Sequence, residues 1–124
     1  MNILDAVQRW LAAEGITPSV DQLPVAVGKT GLFPLGCQVL WHKKDVLGGV
    51  RRRVRYLFLL RQMAIPGEDT EKKFLELQRK ARENPPEIGE NQTFFGEKGK
   101  YVQKAGTGLG IYELRLVAER EETQ

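Results

Sequence analysis

Apolar and polar residues alternate with period 2 along Val50–Arg61, which reads V-R-R-R-V-R-Y-L-F-L-L-R. This alternation predicts a β-strand. One face of the strand carries Arg52 together with five apolar residues, Val50, Val54, Tyr56, Phe58 and Leu60. The other face carries three arginines followed by two leucines, namely Arg51, Arg53, Arg55, Leu57 and Leu59. We therefore expect the second half of the strand to lie between two layers, and the first half to present its arginines to solvent or to a partner.

Two stretches have the apolar spacing of amphipathic helices. The first is residues 3–14, with Asn2 placed to cap its N-terminus and Gly15 to end it. Its apolar stripe consists of Ile3, Leu4, Val7, Trp10 and Leu11. The second helix starts near Asp69 or Thr70 and ends by about Glu83, because two prolines follow. Its buried stripe is predicted to consist of Thr70, Phe74, Leu77 and Ala81.

The remaining segments predict shorter strands. Alternating apolar residues indicate a strand at 22–28, and Pro24 favours either an edge strand or the start of a strand. Lys29–Gly36 reads as a loop whose large apolar residues pack on the core or, less often, contact another chain. Residues 37–44 read as a strand, with Cys37 on its core face. After the second helix, the pattern predicts strands at 92–95, or at 92–104 with a turn at Gly96–Gly99, and at 109–119.

These elements follow the order α-β-β-β-α-β-β, which predicts an α+β fold. We expect a mainly antiparallel sheet with two helices packed on one face, in a single domain of residues 1–124 with a frayed acidic end at about 120–124. A two-residue turn at Gly48–Gly49 would set Trp41 opposite Tyr56 and Val39 opposite Phe58. The same register sets Lys44 against Arg53. Since facing like charges cost stability, we expect this basic β-hairpin to project from the body.

The net charge of +3 is unevenly distributed. Residues 42–61 contain seven Lys and Arg against one Asp, whereas residues 112–124 contain two Arg against four Glu. The basic segment supplies five candidates for a subunit interface or a DNA channel, Lys43, Lys44, Arg51, Arg53 and Arg55. The acidic segment supplies a candidate complementary surface of Glu113, Glu119, Glu121 and Glu122.

Motifs for catalysis and cofactor binding fail on spacing or context. Gly28-Lys29-Thr30 lacks the glycine of a phosphate-binding loop five positions earlier, and the glycines at 106, 108 and 110 precede a strand instead of a helix. His42 and Cys37 are the only residues of their types and lie on opposite strand faces. We therefore predict no enzyme activity, no metal and no cofactor. A reducing compartment is expected, without a signal peptide or a membrane span.

The order of elements resembles a known family. An amphipathic helix around Trp10-Leu11 precedes the basic hairpin 37–61. A helix that opens with Glu68-Asp69-Thr70 follows, then Pro85-Pro86 and the closing strand Ile111–Leu116. This pattern is similar to the small minor-capsid or tail-terminator proteins of long-tailed bacteriophages and prophages.

The resemblance implies subunits that assemble into a ring, typically hexameric, which caps the tail tube and meets the head connector, with DNA passing through its channel. It also implies a place in the virion tail or neck after assembly in the bacterial cytoplasm. A head-to-tail ring needs two different complementary patches, for which the basic hairpin and the acidic C-terminal segment are candidates. On this hypothesis, Arg53→Glu weakens assembly and leaves the monomer folded.

Two other interpretations of the arginine run stay open. The first is a solvated strand face without a special role. The second is a small basic nucleic-acid-binding module, whose binding would fall steeply as salt rises. Little aromatic interleaving occurs on the basic face, so base stacking there is unsupported.

Overall fold

The structure is a computed structural model that describes residues 2–24, 26–65, 68–97, 99–103 and 108–123. It contains two helices, α1 (Ile3–Ala13) and α2 (Glu68–Glu83). The strands are β1 (Ser19–Val20), β2 (Thr30–Lys44), β3 (Val50–Ala64), β4 (Glu90–Gly96), β5 (Lys100–Gln103) and β6 (Gly110–Thr123). The predicted α+β class is confirmed. Val25, residue 104, Gly106 and Gln124, which belong to predicted features, lie outside the described residues.

The sheet is mainly antiparallel and has the order β1-β2-β3-β6-β4, with β5 also paired to β6. Among the described strands, only the short β1 runs parallel to its neighbour, β2. β4 and β5 both lie along the outer edge of β6, β4 beside its C-terminal half and β5 beside its N-terminal half. The described part of the stretch predicted at 92–104 is therefore two strands, β4 ending at Gly96 and β5 beginning at Lys100.

Both helices pack on the same face of this sheet. The Asn2 side chain caps α1 by accepting a hydrogen bond from the Asp5 amide at 3.3 Å, and Gly15 ends the helix with a φ of +83°. Trp10 Nε1 on α1 donates to the Asn84 carbonyl at 2.8 Å, which ties α1 to the end of α2. The buried stripes of both helices join one core with the inward residues of the strands.

The centre of the core is built by β3 and β6. Leu60 lies opposite Leu114 and Phe58 lies opposite Leu116, and all four side chains are buried. The inward face predicted for this half of β3 is thus confirmed. The other face of β3 is not enclosed by a second layer as we expected, because Leu57 and Leu59 stay half-exposed there.

The first strand and the following loop differ from the prediction. The described residues of segment 22–28 form no strand, and residues 30–36 form the first part of β2 instead of a loop. Leu32 is fully buried opposite Leu60, so this segment belongs to the core. Pro34 is tolerated because it stands beside a bulge, where a missing N–H breaks no regular ladder.

The register of the β2–β3 hairpin also differs. Arg53, and not Tyr56, is the partner of Trp41, while Tyr56 lies opposite Cys37. The predicted two-residue turn is wrong, because the connection extends from Asp45 to Gly49. In addition, Leu35 and Leu40 form bulges, and each of them shifts the pairing. Cys37, predicted to fill the core, is exposed.

The acidic C-terminal segment is paired instead of frayed up to the last described residue. β6 continues to Thr123, which is the partner of Arg51. β6 therefore accompanies β3 as far as Arg51, and the connection at residues 45–49 extends past its last described residue. Pairing with β3 and ion pairs hold this acidic segment in place, although its composition alone predicts a solvated, frayed end.

Candidate assembly surface

The face of the sheet opposite α1 and α2, here called the open face, carries every second residue of β3 and β6. Residues directly opposite each other in an antiparallel pair share a face. The pairs Leu59–Arg115, Leu57–Val117 and Arg55–Glu119 therefore all lie on the open face. Among the described residues, the buried helix side chains all pack on the other face. The open face is thus available to a partner.

Apolar residues from four strands form a band across the middle of the open face. We call this band the apolar strip, and it consists of Phe33, Leu57, Leu59, Phe95 and Val117. Val117 at its centre is 1% exposed, whereas Phe95 at its margin is 36% exposed. The Arg61 guanidinium lies over the Phe33 ring at 5.7 Å from the centroid. The strip is therefore partly shielded by its own neighbours and partly open to solvent.

Between the strip and the hairpin end, two arginines converge on one carboxylate. Arg53 Nε lies 3.0 Å from Glu119 Oε1, and Arg55 Nη2 lies 2.7 Å from Glu119 Oε2. Arg53 also donates to the Asn91 carbonyl at 2.8 Å and to Thr93 Oγ1 at 2.9 Å. This cluster joins β3, β6 and β4, and its Glu119 is only 7% exposed.

Further ion pairs border the strip on both sides. Arg61 lies 2.8 Å from Glu113, and Arg51 lies 3.4 Å from Glu90 near the hairpin end. The Arg51–Glu90 pair is largely exposed, so its contribution to stability is small. The open face as a whole alternates cations and anions around an apolar centre.

A second carboxylate cluster lies on the helix side of the same strands. Glu122 accepts a hydrogen bond from the Tyr56 hydroxyl and lies 3.0 Å from both Arg52 Nη2 and Arg120 Nε. Arg120 also stacks over the Tyr56 ring at 5.5 Å and donates to the Ile88 carbonyl at 2.9 Å. The C-terminal segment is therefore fixed from both faces.

These contacts change the titration of three groups. Burial disfavours the charged form of Glu119, but hydrogen bonds from Arg55 and Arg53 outweigh it and lower the pKa of Glu119. Burial likewise opposes ionisation of Glu122, yet hydrogen bonds from Tyr56, Arg120 and Arg52 lower its pKa. Burial, followed by the hydrogen bond to Glu122, raises the pKa of Tyr56.

The structure brings most of the predicted site residues together within one chain. The arginines of β3 and the glutamates of β6 run antiparallel in register, with Arg55 opposite Glu119 and Arg53 opposite Glu121. The basic and acidic segments are thus adjacent, where the sequence suggested two separate patches. Neither Lys43 nor Lys44 has an ion-pair partner among the described residues, although Lys43 lies over the Trp41 ring at 5.0 Å.

Sequence reasoning missed seven polar participants, which are Arg52, Tyr56, Arg61, Glu90, Asn91, Thr93 and Arg120. One signal for the pairing of the two segments was available, since Arg52, Arg53 and Arg55 have the spacing of Glu122, Glu121 and Glu119 in reverse order. Opposite charges in mirrored order favour antiparallel pairing of the two segments.

Comparisons with known proteins give no family. No protein-family model matches the chain, and no curated protein matches it. Within the described ranges, no helix has the length and apolar character needed to cross a membrane, and no group of three or more His, Cys, Asp or Glu side chains could hold a metal ion. A function is therefore inferred from the open face and the hairpin end.

Proposed function

We propose that the protein is a structural subunit that associates with copies of itself into a ring, in the manner of the phage tail terminators that its sequence resembles. On this proposal the ring, hexameric by the same resemblance, caps a tail tube and meets a head connector in the virion neck. Its assembly takes place in the bacterial cytoplasm. The proposal includes no catalytic step, metal or cofactor.

The observation that carries the proposal is the apolar strip. Phe95, Leu57 and Leu59 are not covered by the helices and remain partly exposed. Covering apolar surface is worth about 25 cal/mol per Å². An exposed apolar area surrounded by polar residues is typical of a protein-interaction surface. The strip and its border of Arg–Glu pairs have this arrangement.

The ion pairs indicate which charged residues stabilise the subunit and which can contact a neighbour. Because Arg53, Arg55 and Glu119 satisfy one another within a subunit, we assign them to holding β3, β4 and β6 in place. Lys43 and Lys44, which have no ion-pair partner among the described residues, are left for a neighbour or for DNA. Glu90 is paired with Arg51, but its side chain is 71% exposed and can also meet a neighbour's cation. A head-to-tail contact can join these two sets across a subunit boundary.

The experiment is to measure self-association over a range of protein concentrations by light scattering after size exclusion, with electron microscopy to detect rings. We expect Phe95→Ser to raise the dissociation constant at least tenfold, equivalent to about 1.4 kcal/mol. Leu75→Ser is the matched control, because Leu75 is 56% exposed on α2 and away from the open face. Equal association of both variants and wild type would remove the open face from the interface. A monomer at every concentration would overturn the ring.

A nucleic-acid-binding module is the second candidate, favoured by Lys43 and Lys44 at the hairpin end, for which the described part of the chain supplies no ion-pair partner. Phosphate contacts of this kind need cations and no base readout. We expect such a protein to retain duplex or single-stranded DNA in a gel shift at low salt, and Lys43→Glu/Lys44→Glu to abolish the retention. Absence of any retention by wild type at low salt would eliminate this candidate.

A further inference from the structure

The turn of the β2–β3 hairpin is held in one conformation by its own hydrogen bonds. The Asp45 amide donates to the Gly49 carbonyl at 2.8 Å. The Asp45 carboxylate accepts from the amides of Leu47 and Gly49 at 2.9 and 2.8 Å. Gly48 has a φ of +88°, a backbone conformation that favours glycine. The turn therefore presents its side chains at defined positions.

The two side chains at this turn, Val46 and Leu47, are the hairpin tip. Their relative exposures are 102% and 97%, above those of the other described large apolar residues. A structured turn that holds two aliphatic side chains wholly in water gains nothing from them within its own chain. Such residues become useful when a partner covers them.

An apolar groove of about 350 Å³ lies on the helix side of the sheet, where the N-terminus of α1 meets β2 and β3. Ile3, Leu4, Pro34, Cys37 and Phe58 are among its lining residues. Arg120 also lines the groove, where its guanidinium lies over the Tyr56 ring, pairs with Glu122 and donates to the Ile88 carbonyl. The groove thus combines an apolar floor with one guanidinium that is already paired within the chain.

The tip cannot reach the groove of its own chain. A strand advances about 3.3 Å per residue. The stretch of β2 from Cys37 to Lys44 therefore separates the groove from the turn by roughly 20 Å. A contact between the tip and the groove therefore requires two molecules.

We propose that the Val46–Leu47 tip of one copy inserts into the groove of the neighbouring copy. Apolar side chains then meet apolar walls, and the burial of Val46 and Leu47 stabilises the contact. Tip and groove are different patches on one chain, so the contact is head-to-tail and repeats around a ring. This inference rests on the proposed self-association and names the residues that make it.

We expect two copies to join by inserting side chains, because the outer edge of β2 is poorly suited to pairing with a strand of another copy. The outer edge of β2 carries Pro34 and the bulges at Leu35 and Leu40, followed by two lysines. Prolines, bulges and lysines are the features by which edge strands prevent strand addition. The tip lies beyond these features and is unaffected by them.

The first experiment uses Cys37, the native thiol that lines the groove, as a reporter. Leu47→Cys places a second thiol at the tip, and mild oxidation of the assembled protein is expected to give a ladder of disulfide-linked multimers. A disulfide within one chain is excluded, because it needs Cα atoms within about 7 Å. Peptide mapping by mass spectrometry is expected to find position 37 joined to position 47.

Two variants control this result. Leu47→Cys combined with Cys37→Ser removes the groove thiol and is expected to lose the ladder. Leu75→Cys, on the exposed surface of α2, keeps Cys37 and is expected to give no more than traces of cross-linked protein. Equal cross-linking of Leu75→Cys and Leu47→Cys, or links only between like positions, would overturn the inference.

The second experiment replaces both tip residues by Val46→Ser/Leu47→Ser. We expect the dissociation constant for self-association to rise at least tenfold, with an unchanged circular dichroism spectrum and melting temperature. If wild type forms rings but the tip variant forms them equally well, the inference fails and the proposed function stands. If wild type forms no assembly, both fail. Tip-dependent binding to vesicles of phosphatidylserine and phosphatidylcholine would assign the tip to a lipid surface instead and overturn the inference.

Discussion

The face of the sheet that carries α1 and α2 differs from the open face in how β3 and β6 are shielded from water. On the covered face, Leu60, Leu114 and Leu116 are completely buried beneath the helices. On the open face, the alternate residues of the same two strands are arginine, glutamate and half-exposed leucine. The alternation of side chains along β3 and β6 therefore supplies both the covered face and the open face.

The two faces are stabilised by different interactions. The covered face gains free energy from apolar burial, which is non-directional and does not depend on pH. The open face relies on ion pairs with defined partners, which depend on pH and fix the positions of neighbouring strands. Its apolar strip is left available, so a partner can bind there without opening the core.

The largest expected effect separates the two faces directly. Leu114→Ala leaves a cavity in the core and is expected to lower the free energy of unfolding by about 3 kcal/mol. Leu59→Ala on the open face removes the same atoms from a half-exposed site and is expected to cost about 1 kcal/mol. Urea unfolding measures both variants. Equal losses would show that the open face is as well covered as the core.

The next effect concerns the Glu119 cluster. Glu119→Gln leaves Arg53 and Arg55 without their carboxylate, and we expect a loss of about 2 kcal/mol in the free energy of unfolding. Glu97→Gln is the control, because its pair with Arg115 spans 3.9 Å and is half-exposed, so a change below about 0.5 kcal/mol is expected. Equal losses in the two variants would show that the Glu119 cluster stabilises the fold no more than an exposed ion pair does.

The same cluster alters the expected result of Arg53→Glu. This reversal would set a second carboxylate beside Glu119 and remove the donors to Asn91 and Thr93. We therefore expect it to destabilise the monomer, so loss of assembly in this variant does not isolate an interface. Phe95→Ser and the tip variant are the cleaner tests.

A smaller effect is expected on acidification. Because the pKa values of Glu119 and Glu122 are lowered in the folded chain, the unfolded chain binds protons first. Their stabilisation is present above the ordinary glutamate value of 4.5 and is lost as the pH falls through the lowered values. Urea midpoints between pH 6 and pH 3 measure this, and Glu119→Gln/Glu122→Gln is expected to flatten the decline. An equally steep decline in that variant would assign it to other groups.

The smallest effect on the free energy of unfolding is expected at the hairpin tip. Val46→Ser/Leu47→Ser removes no contact within the chain, so we expect a change within about 0.5 kcal/mol. A much larger loss would mean that the tip packs against its own chain, contrary to its full exposure.

Local signals in the sequence were sufficient for α1, for α2 and for the inward face of β3. The Asn2 cap, the Gly15 stop and the apolar stripe each act within a few residues, so no distant part of the chain is needed to read them. The alternation of β3 already separated Phe58 and Leu60 from Arg53 and Arg55. The α+β class followed from the order of these elements.

Only the tertiary structure decided which segments pair. Arg53 and Glu119 are far apart in sequence, and their contact depends on β6 docking beside β3 in one register. The bulges at Leu35 and Leu40 and the length of the Asp45–Gly49 turn set the hairpin register, and period-2 alternation contains no information about such insertions. The charges that looked like two separate surfaces consequently lie side by side, because strand pairing is chosen by packing across the whole sheet.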